Sequence, residues 1–267
     1  MADHPIFTES LRRIRELLAL RSAADPALAA WLAGLGPLER DVLERCIHSS
    51  GDVAIASDLR FAPVAGAAGI DPDGRRGCPP GAPGGLPPGS GADGGSTPAA
   101  PDRGSGACAQ GLAALQAGAS ILTDTAMAAA AVAPMARRTG GNRVLCLLDW
   151  APPQAPAGST RAAAGMAAAW RALAGSDPAP LLLIGSAPTA LEVLLDLVEA
   201  GAPPPALVVG MPVGFVGVAE SKRRLAQSGL SHIRLEGSRG GAALVAAACN
   251  ALLRWGWLTA EVPPHPR

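Results

Sequence analysis

Several short stretches of this 267-residue chain combine residue types that can do chemistry. Glu44-Arg45-Cys46-Ile47-His48-Ser49-Ser50-Gly51-Asp52 places a histidine on the last turn of a helix that Gly51 ends. Arg45, three residues earlier, shares its face. Imidazole is the side chain suited to moving protons near neutral pH, so His48 is the candidate acid/base. A helix C-terminus favours the protonated ring, and Arg45 opposes it. A histidine there can also simply bind the last helix carbonyls, and spacing leaves both roles open. The other histidines offer less: His4 and His265 sit in polar or Pro-rich termini, and His232 begins a strand near the expected surface.

A second candidate is the glycine-punctuated stretch from Gly210 to Lys222, between the apolar run Ala206–Val209 and a charged, helix-compatible segment. Gly210, Gly214 and Gly217 would let backbone N–H groups approach an anionic ligand at positive φ, beside a helix start. Neither standard phosphate motif fits. Ser221 stands where a P-loop needs glycine before its lysine, and Met211, Pro212 and Val213 separate glycines that a dinucleotide fingerprint keeps one residue apart. Glu236 does stand about where that fold puts its ribose-binding acid, so a dinucleotide-dependent enzyme stays open as an alternative. Arg45, Arg161 and Arg239 add rigid guanidinium forks that would suit a ligand with several carboxylates, or would be ordinary exposed arginines.

These groups need elements to hold them. Leu11, Ile14, Leu17 and Leu18 mark a first helix, Pro26 opens a second ending near Gly34, and Pro37 opens the third, which carries His48. Strands are expected at 120–123, 144–148, 181–184, 206–209 and 233–235, with helices at about 125–138, 159–174, 188–200, 218–228 and 241–257. This alternation predicts an α/β fold: a mostly parallel, doubly wound sheet with helices on both faces and an N-terminal helical segment. Such sheets bind ligands beyond the C-terminal strand edges. Those edges carry Thr123-Asp124-Thr125, Asp149, Gly185-Ser186, the Gly210 stretch and Gly237-Ser238-Arg239-Gly240-Gly241. The same residue types also cap helices, and any one of them alone reads as a cap. Residues 66–107 differ from the rest, since Gly and Pro fill 21 of these 42 positions; the segment reads as a disordered insertion. It divides one domain into residues 1–65 and 108–258, with a tail at 259–267.

Composition excludes several function classes. Lys plus Arg and Asp plus Glu both number 22, so no polyanion or nucleic-acid partner is expected. Tyrosine is absent and phenylalanine numbers three, which disfavours stacking on bases. Cys46, Cys78, Cys108, Cys146 and Cys249 form no C-x-x-C pair, which points to a reducing compartment and no metal site. With no apolar leader and no apolar run of about 18 residues, a cytoplasmic protein with no membrane partner is expected.

Together these stretches resemble the precorrin-8X methylmutase family of cobalamin biosynthesis. The resemblance rests on Arg45 to Asp52, on Gly118-Ala119-Ser120-Ile121-Leu122-Thr123-Asp124, and on Thr160-Arg161 with the three alanines that follow. It rests further on Ile184-Gly185-Ser186-Ala187-Pro188-Thr189-Ala190-Leu191, Gly210 to Lys222, Gly237 to Gly241, and Asn250. It implies an α/β homodimer, an isomerase that moves a methyl group from C-11 to C-12 of a corrinoid ring, and no cofactor. It implies precorrin-8X or cobalt-precorrin-8 as substrate and other cobalamin-pathway enzymes as possible partners. His48 matches the family's proton donor and acceptor, and Ser10 and Arg45 match substrate-binding positions. Thr123, Asp124, Arg161, Gly210, Gly214 and Gly217 match positions that line the pocket. The chain departs from the family pattern in the 66–107 insertion, in Ser238 beside Arg239 and in Ser159 before Thr160. A non-catalytic corrinoid-binding protein is the other alternative.

Overall fold

The computed structural model describes residues 4–63 and 106–259. The stretch expected to be a disordered insertion lies outside the described residues except for its last two positions, as do the tail beyond Thr259, Cys78 and His265.

Three helices come first: α1 (Pro5–Ala24), α2 (Pro26–Gly34) and α3 (Pro37–Ser50). Each begins with proline, whose missing N–H costs nothing in a first turn. Gly51, at φ 68°, ends α3, and its N–H donates to the carbonyl of Ile47. Strand β1 (Leu59–Ala62) follows, then α4 (Ala107–Gln116). From there strands and helices alternate as β2 (Ile121–Thr123), α5 (Ala126–Arg138), β3 (Val144–Cys146), α6 (Arg161–Leu173), β4 (Leu181–Ile184) and α7 (Pro188–Glu199). Then come β5 (Leu207–Gly210), α8 (Val218–Gln227), β6 (His232–Leu235) and α9 (Ala242–Thr259).

The six strands form one sheet in the order β1-β6-β5-β4-β2-β3, parallel throughout except for β1, which runs antiparallel to β6. The expected α/β sheet is therefore present, with one added antiparallel edge. Strand β1 and helix α4 fall outside the predicted set. The first is a four-residue edge strand with a single buried residue, and the second has an Ala- and Gly-rich sequence of low pattern contrast. Strand β3 ends earlier than its apolar run, because Leu147–Trp150 coils into a 3-10 turn.

Alternate residues of each strand point to opposite faces and build two cores. Leu181, Leu183, Leu207 and Val209 face the helices α1 to α5 and α9, whereas Leu182, Ile184 and Val208 face α6, α7 and α8. Helix α9 meets the length and apolarity of a membrane span. It instead forms the centre of the first core, packed on α3, α4, α5 and the sheet.

His232 is not near the surface. It is 2% exposed; its Nδ1 lies 2.8 Å from the carbonyl of Leu230, and its Nε2 lies 3.1 Å from the Arg234 guanidinium. A carbonyl needs a donor and a guanidinium needs an acceptor, so the ring is neutral and protonated on Nδ1. Burial lowers its pKa below the ordinary 6.5, the Leu230 carbonyl opposes this, and Arg234 adds to it. The folded state then binds fewer protons than the unfolded chain, so this contribution is present above pH 6.5 and is lost as pH falls through the lowered value. The melting temperature should drop on acidification below pH 6.5, and His232→Gln should flatten that drop. Equal slopes in the two proteins would show that His232 does not report on folding.

Candidate active site

His48 is exposed on the last turn of α3, and its Nδ1 lies 2.7 Å from the Ser10 hydroxyl of α1. The two residues are 38 positions apart, and only the packing of α1 on α3 joins them. That packing includes a two-pronged ion pair: Arg15 Nε and Nη2 each donate at 2.8 Å to the buried carboxylate of Glu44. Phe7 stands edge-on to the His48 ring at 4.8 Å and lies under the Arg45 guanidinium, also at 4.8 Å. Arg45 Nε donates to Asp41 at 2.7 Å, and both side chains are mostly buried. Ser10, Arg45 and His48 are thus brought together, with Phe7 and Asp41 as members the sequence reading had passed over. Asp41 lies four residues before Arg45, and the i,i+4 rule would have found it.

The glycine stretch forms a tight wall whose N–H groups are largely committed. Met211 N donates to Ile184 O, Val213 N to Gly185 O and Gly214 N to Ser238 O. Gly214 and Gly217 have positive φ, 143° and 70°, whereas Gly210 does not. Gly210 is required for packing instead, because an added methyl would overlap Leu225 of α8. The wall leans on the turn 237–241: Gly241 N donates to Met211 O, and a methyl at Gly240 would overlap that same carbonyl. At its tip Phe215 is 96% and Val216 88% exposed, an apolar pair with no packing partner in the core.

The same turn reaches toward the histidine. Arg239 donates to Asp52 at 2.7 Å and also pairs with Asp58, so its fork serves this chain's own carboxylates and is not left free for a ligand. The Arg239 bond holds Asp52 below the ordinary carboxylate range. Beyond the turn, Ser49 Oγ donates to Ala243 O at 3.4 Å, which brings the end of α3 against the start of α9. Lys222, 2% exposed, donates from α8 to Gly237 O and Arg239 O.

Thr123 and Asp124 lie beneath this edge. Thr123 donates to the carbonyls of Thr125 and Leu145, and Asp124 Oδ2 accepts from the N–H groups of Ser186 and Ala187. Asp124 is 1% exposed, and its Oδ1 has no partner. Burial raises its pKa against the pull of those N–H groups. Arg161 is exposed at the start of α6 and donates to Pro152 O, while Thr160 caps α6 and meets Thr189 of α7 at 2.7 Å. Among the described residues, no hydrogen bond or ion pair joins Arg161 to the His48 group. Thr125 likewise caps α5, so for these two threonines the cap reading applies.

Rival sites are poorer in chemistry. A groove of about 310 Å³ lined by Leu112, Leu115, Asn142, Leu252 and Trp257 opens at the other end of the sheet, and no titratable side chain lines it. Glu236 is paired with Arg234 and Arg60 on the antiparallel edge, away from a ribose-binding role. The Cys46 and Cys249 thiols, pushed up to about 12 by burial, supply no thiolate at neutral pH.

Comparison with known proteins identifies the family of the chain. The family model for precorrin-8X methylmutase matches residues 103–255. A precorrin-8X methylmutase of Pseudomonas aeruginosa is 39% identical over 84% of this chain and 87% of its own length. A cobalt-precorrin-8 methylmutase of Synechocystis is 33% identical over 96% and 97%. The crystal structure of precorrin-8X methylmutase from Thermus thermophilus superposes with a TM-score of 0.65 at 33% identity, covering 94% of this chain and 95% of that one. Family model, near full-length relatives and fold coincide, and the chain belongs to the precorrin-8X methylmutase family of isomerases.

Proposed function

We propose that this protein moves a methyl group from C-11 to C-12 of precorrin-8X or cobalt-precorrin-8, giving hydrogenobyrinate or its cobalt-containing equivalent, with His48 as the acid and base. The observation that carries the reading is the Ser10–His48 hydrogen bond on an exposed helix end. It engages Nδ1 and leaves Nε2 as the nitrogen available to a substrate. Nε2 delivers a proton to the conjugated ring system, the methyl group migrates suprafacially as a 1,5-shift, and Nε2 takes the proton back. Substrate and product are isomers, so atoms, electrons and protons balance.

The residues around His48 suit a macrocycle edged with carboxylates. Nε is the one nitrogen of Arg45 with a hydrogen-bond partner among the described residues, so its Nη groups are placed to receive a substrate carboxylate. Phe7, Phe215 and Val216 supply apolar surface for the ring's face. Arg161 is exposed enough to meet a peripheral carboxylate. Thr123 and Asp124 are both buried: Asp124 acts by setting the β4–α7 turn, and Thr123 by tying the start of α5 to β3.

The wider reading has three parts. Residues 1–65 and 108–258 act as one methylmutase domain, supported by the β1–β6 pairing and the shared core. The protein works in the cytoplasm as a homodimer, in which exposed Leu17 and Leu20 of α1 offer apolar surface for a second copy. It passes its product to later enzymes of cobalamin synthesis.

His48→Ala should lower turnover by about 10²- to 10⁴-fold, the usual contribution of a positioned acid, while product binding persists. Absorbance-monitored conversion of metal-free and cobalt-bearing substrate measures this, and near wild-type turnover would remove His48 from the chemistry. Wild-type protein that binds the product yet converts neither substrate would be a carrier. Arg45→Ala should weaken product binding by about 1.5–3 kcal/mol, the range for hydrogen bonds to charged groups. An unchanged dissociation constant would place Arg45 outside the site.

A further inference from the structure

Lys222 is the buried cation that the methylmutase reading leaves without a role. It sits on α8, is 2% exposed, and donates from Nζ at 2.9 Å to Gly237 O and at 2.6 Å to Arg239 O. Both acceptors belong to the turn after β6, and both are main-chain atoms, so the ammonium fixes the course of the backbone there. Burying an ammonium is costly unless strong acceptors compensate, and here two carbonyls of one turn do so.

That turn touches both halves of the candidate site. Toward the glycine wall, Ser238 O accepts from Gly214 N and Gly241 N donates to Met211 O. Toward the histidine, Arg239 grips Asp52, which lies four residues beyond His48 and follows the glycine that ends α3. We propose that Lys222 is a positioning residue for the methyl shift: its ammonium clamps the turn 237–241 and thereby sets the spacing between the wall at 211–217 and His48. The catalytic part of this inference rests on the methylmutase reading; the clamp itself does not.

The charged groups facing Lys222 are Asp58, which favours the ammonium, and Arg239, which disfavours it. Burial, aided by Arg239, outweighs Asp58 and brings the pKa from 10.5 to about 8. Because the folded value is the lower one, the folded state releases this proton first. The contribution of Lys222 to stability therefore rises between pH 8 and 10.5, while the charge that clamps the turn is lost. Stability and turnover respond to the same proton with opposite sign, which a merely structural lysine would not show.

The test uses the full chain carrying Lys222→Met, which keeps length and apolar bulk, and Lys222→Arg, which keeps a cationic donor. Melting temperature, product affinity, kcat and KM are measured, together with hydrogen exchange of peptides covering 211–217 and 237–243. Lys222→Met should stay folded, exchange faster in both peptides and lose about 10²-fold in kcat, the cost of a misplacement near 1 Å, with KM moving far less. Lys222→Arg should recover part of kcat, and it should lack the alkaline fall in kcat that the wild type shows near pH 8. Should Lys222→Met fail to fold, Lys222→Gln, which retains a donor, gives the same readouts. A folded variant with wild-type exchange in both peptides overturns the clamp. Faster exchange with unchanged kcat overturns the positioning role. If the wild type converts no substrate, the methylmutase reading fails, and exchange in the two peptides still decides the clamp.

Discussion

Burial of α9 between the sheet and helices α3, α4 and α5 is the constraint on which the rest of the structure depends. Leu244, Val245, Ala248, Cys249, Ala251 and Leu252 are all at most 5% exposed, so the helix can occupy one orientation only. Its start lies against the end of α3, where Cys46 Sγ approaches Leu244 O at 3.8 Å. The position of the histidine-bearing helix relative to the strand edges follows from this packing. Ion pairs refine it: Arg239 and Asp52 are each 41% exposed, and such pairs contribute little stability in water. They select geometry, whereas apolar area supplies the free energy.

The two halves of the candidate site are built by different physics. The His48 side is made of side chains, with Ser10, Phe7, Arg45 and Asp41 arranged by the contact of α1 on α3. The opposite wall is made of main chain, where Gly240 lies too close to the Met211 carbonyl for a Cβ to stand between them and Gly241 N donates to that same carbonyl. Side chains on helices can adjust through their rotamers as a substrate enters; a backbone wall hydrogen-bonded to a neighbouring strand end cannot. Under the proposed function, one half would supply proton transfer and charge, and the other a fixed reference surface.

Much of this was legible in the sequence because it is local. The apolar runs at 181–184 and 206–209, the proline starts of the first three helices and the Gly51 stop each depend on a few adjacent residues. The family resemblance rested on blocks of adjacent residues too, such as Arg45 to Asp52 and Gly237 to Gly241. Less legible was whatever depends on distant partners. Strand β1 exists because β6 offers it a partner, and its four residues carry no pattern of their own. His232 opens a strand, and only the packing around it shows that it is buried and neutral. Arg239 could be read either as a ligand fork or as an ordinary exposed arginine because its partners, Asp52 and Asp58, stand more than 180 positions away. Gly210 read as a conformational glycine, although the requirement comes from Leu225 on a later helix.

The backbone wall also bears on how such a protein can change over generations. A pocket surface made of side chains is retuned by single substitutions, each sampled at small cost. At Met211 and Gly240 the facing atoms are carbonyls and a bare Cα, so codon changes there alter the fold before they alter what is bound. Under the proposed function, variation in ligand preference would fall on the exposed side chains of Phe215, Val216 and Arg161.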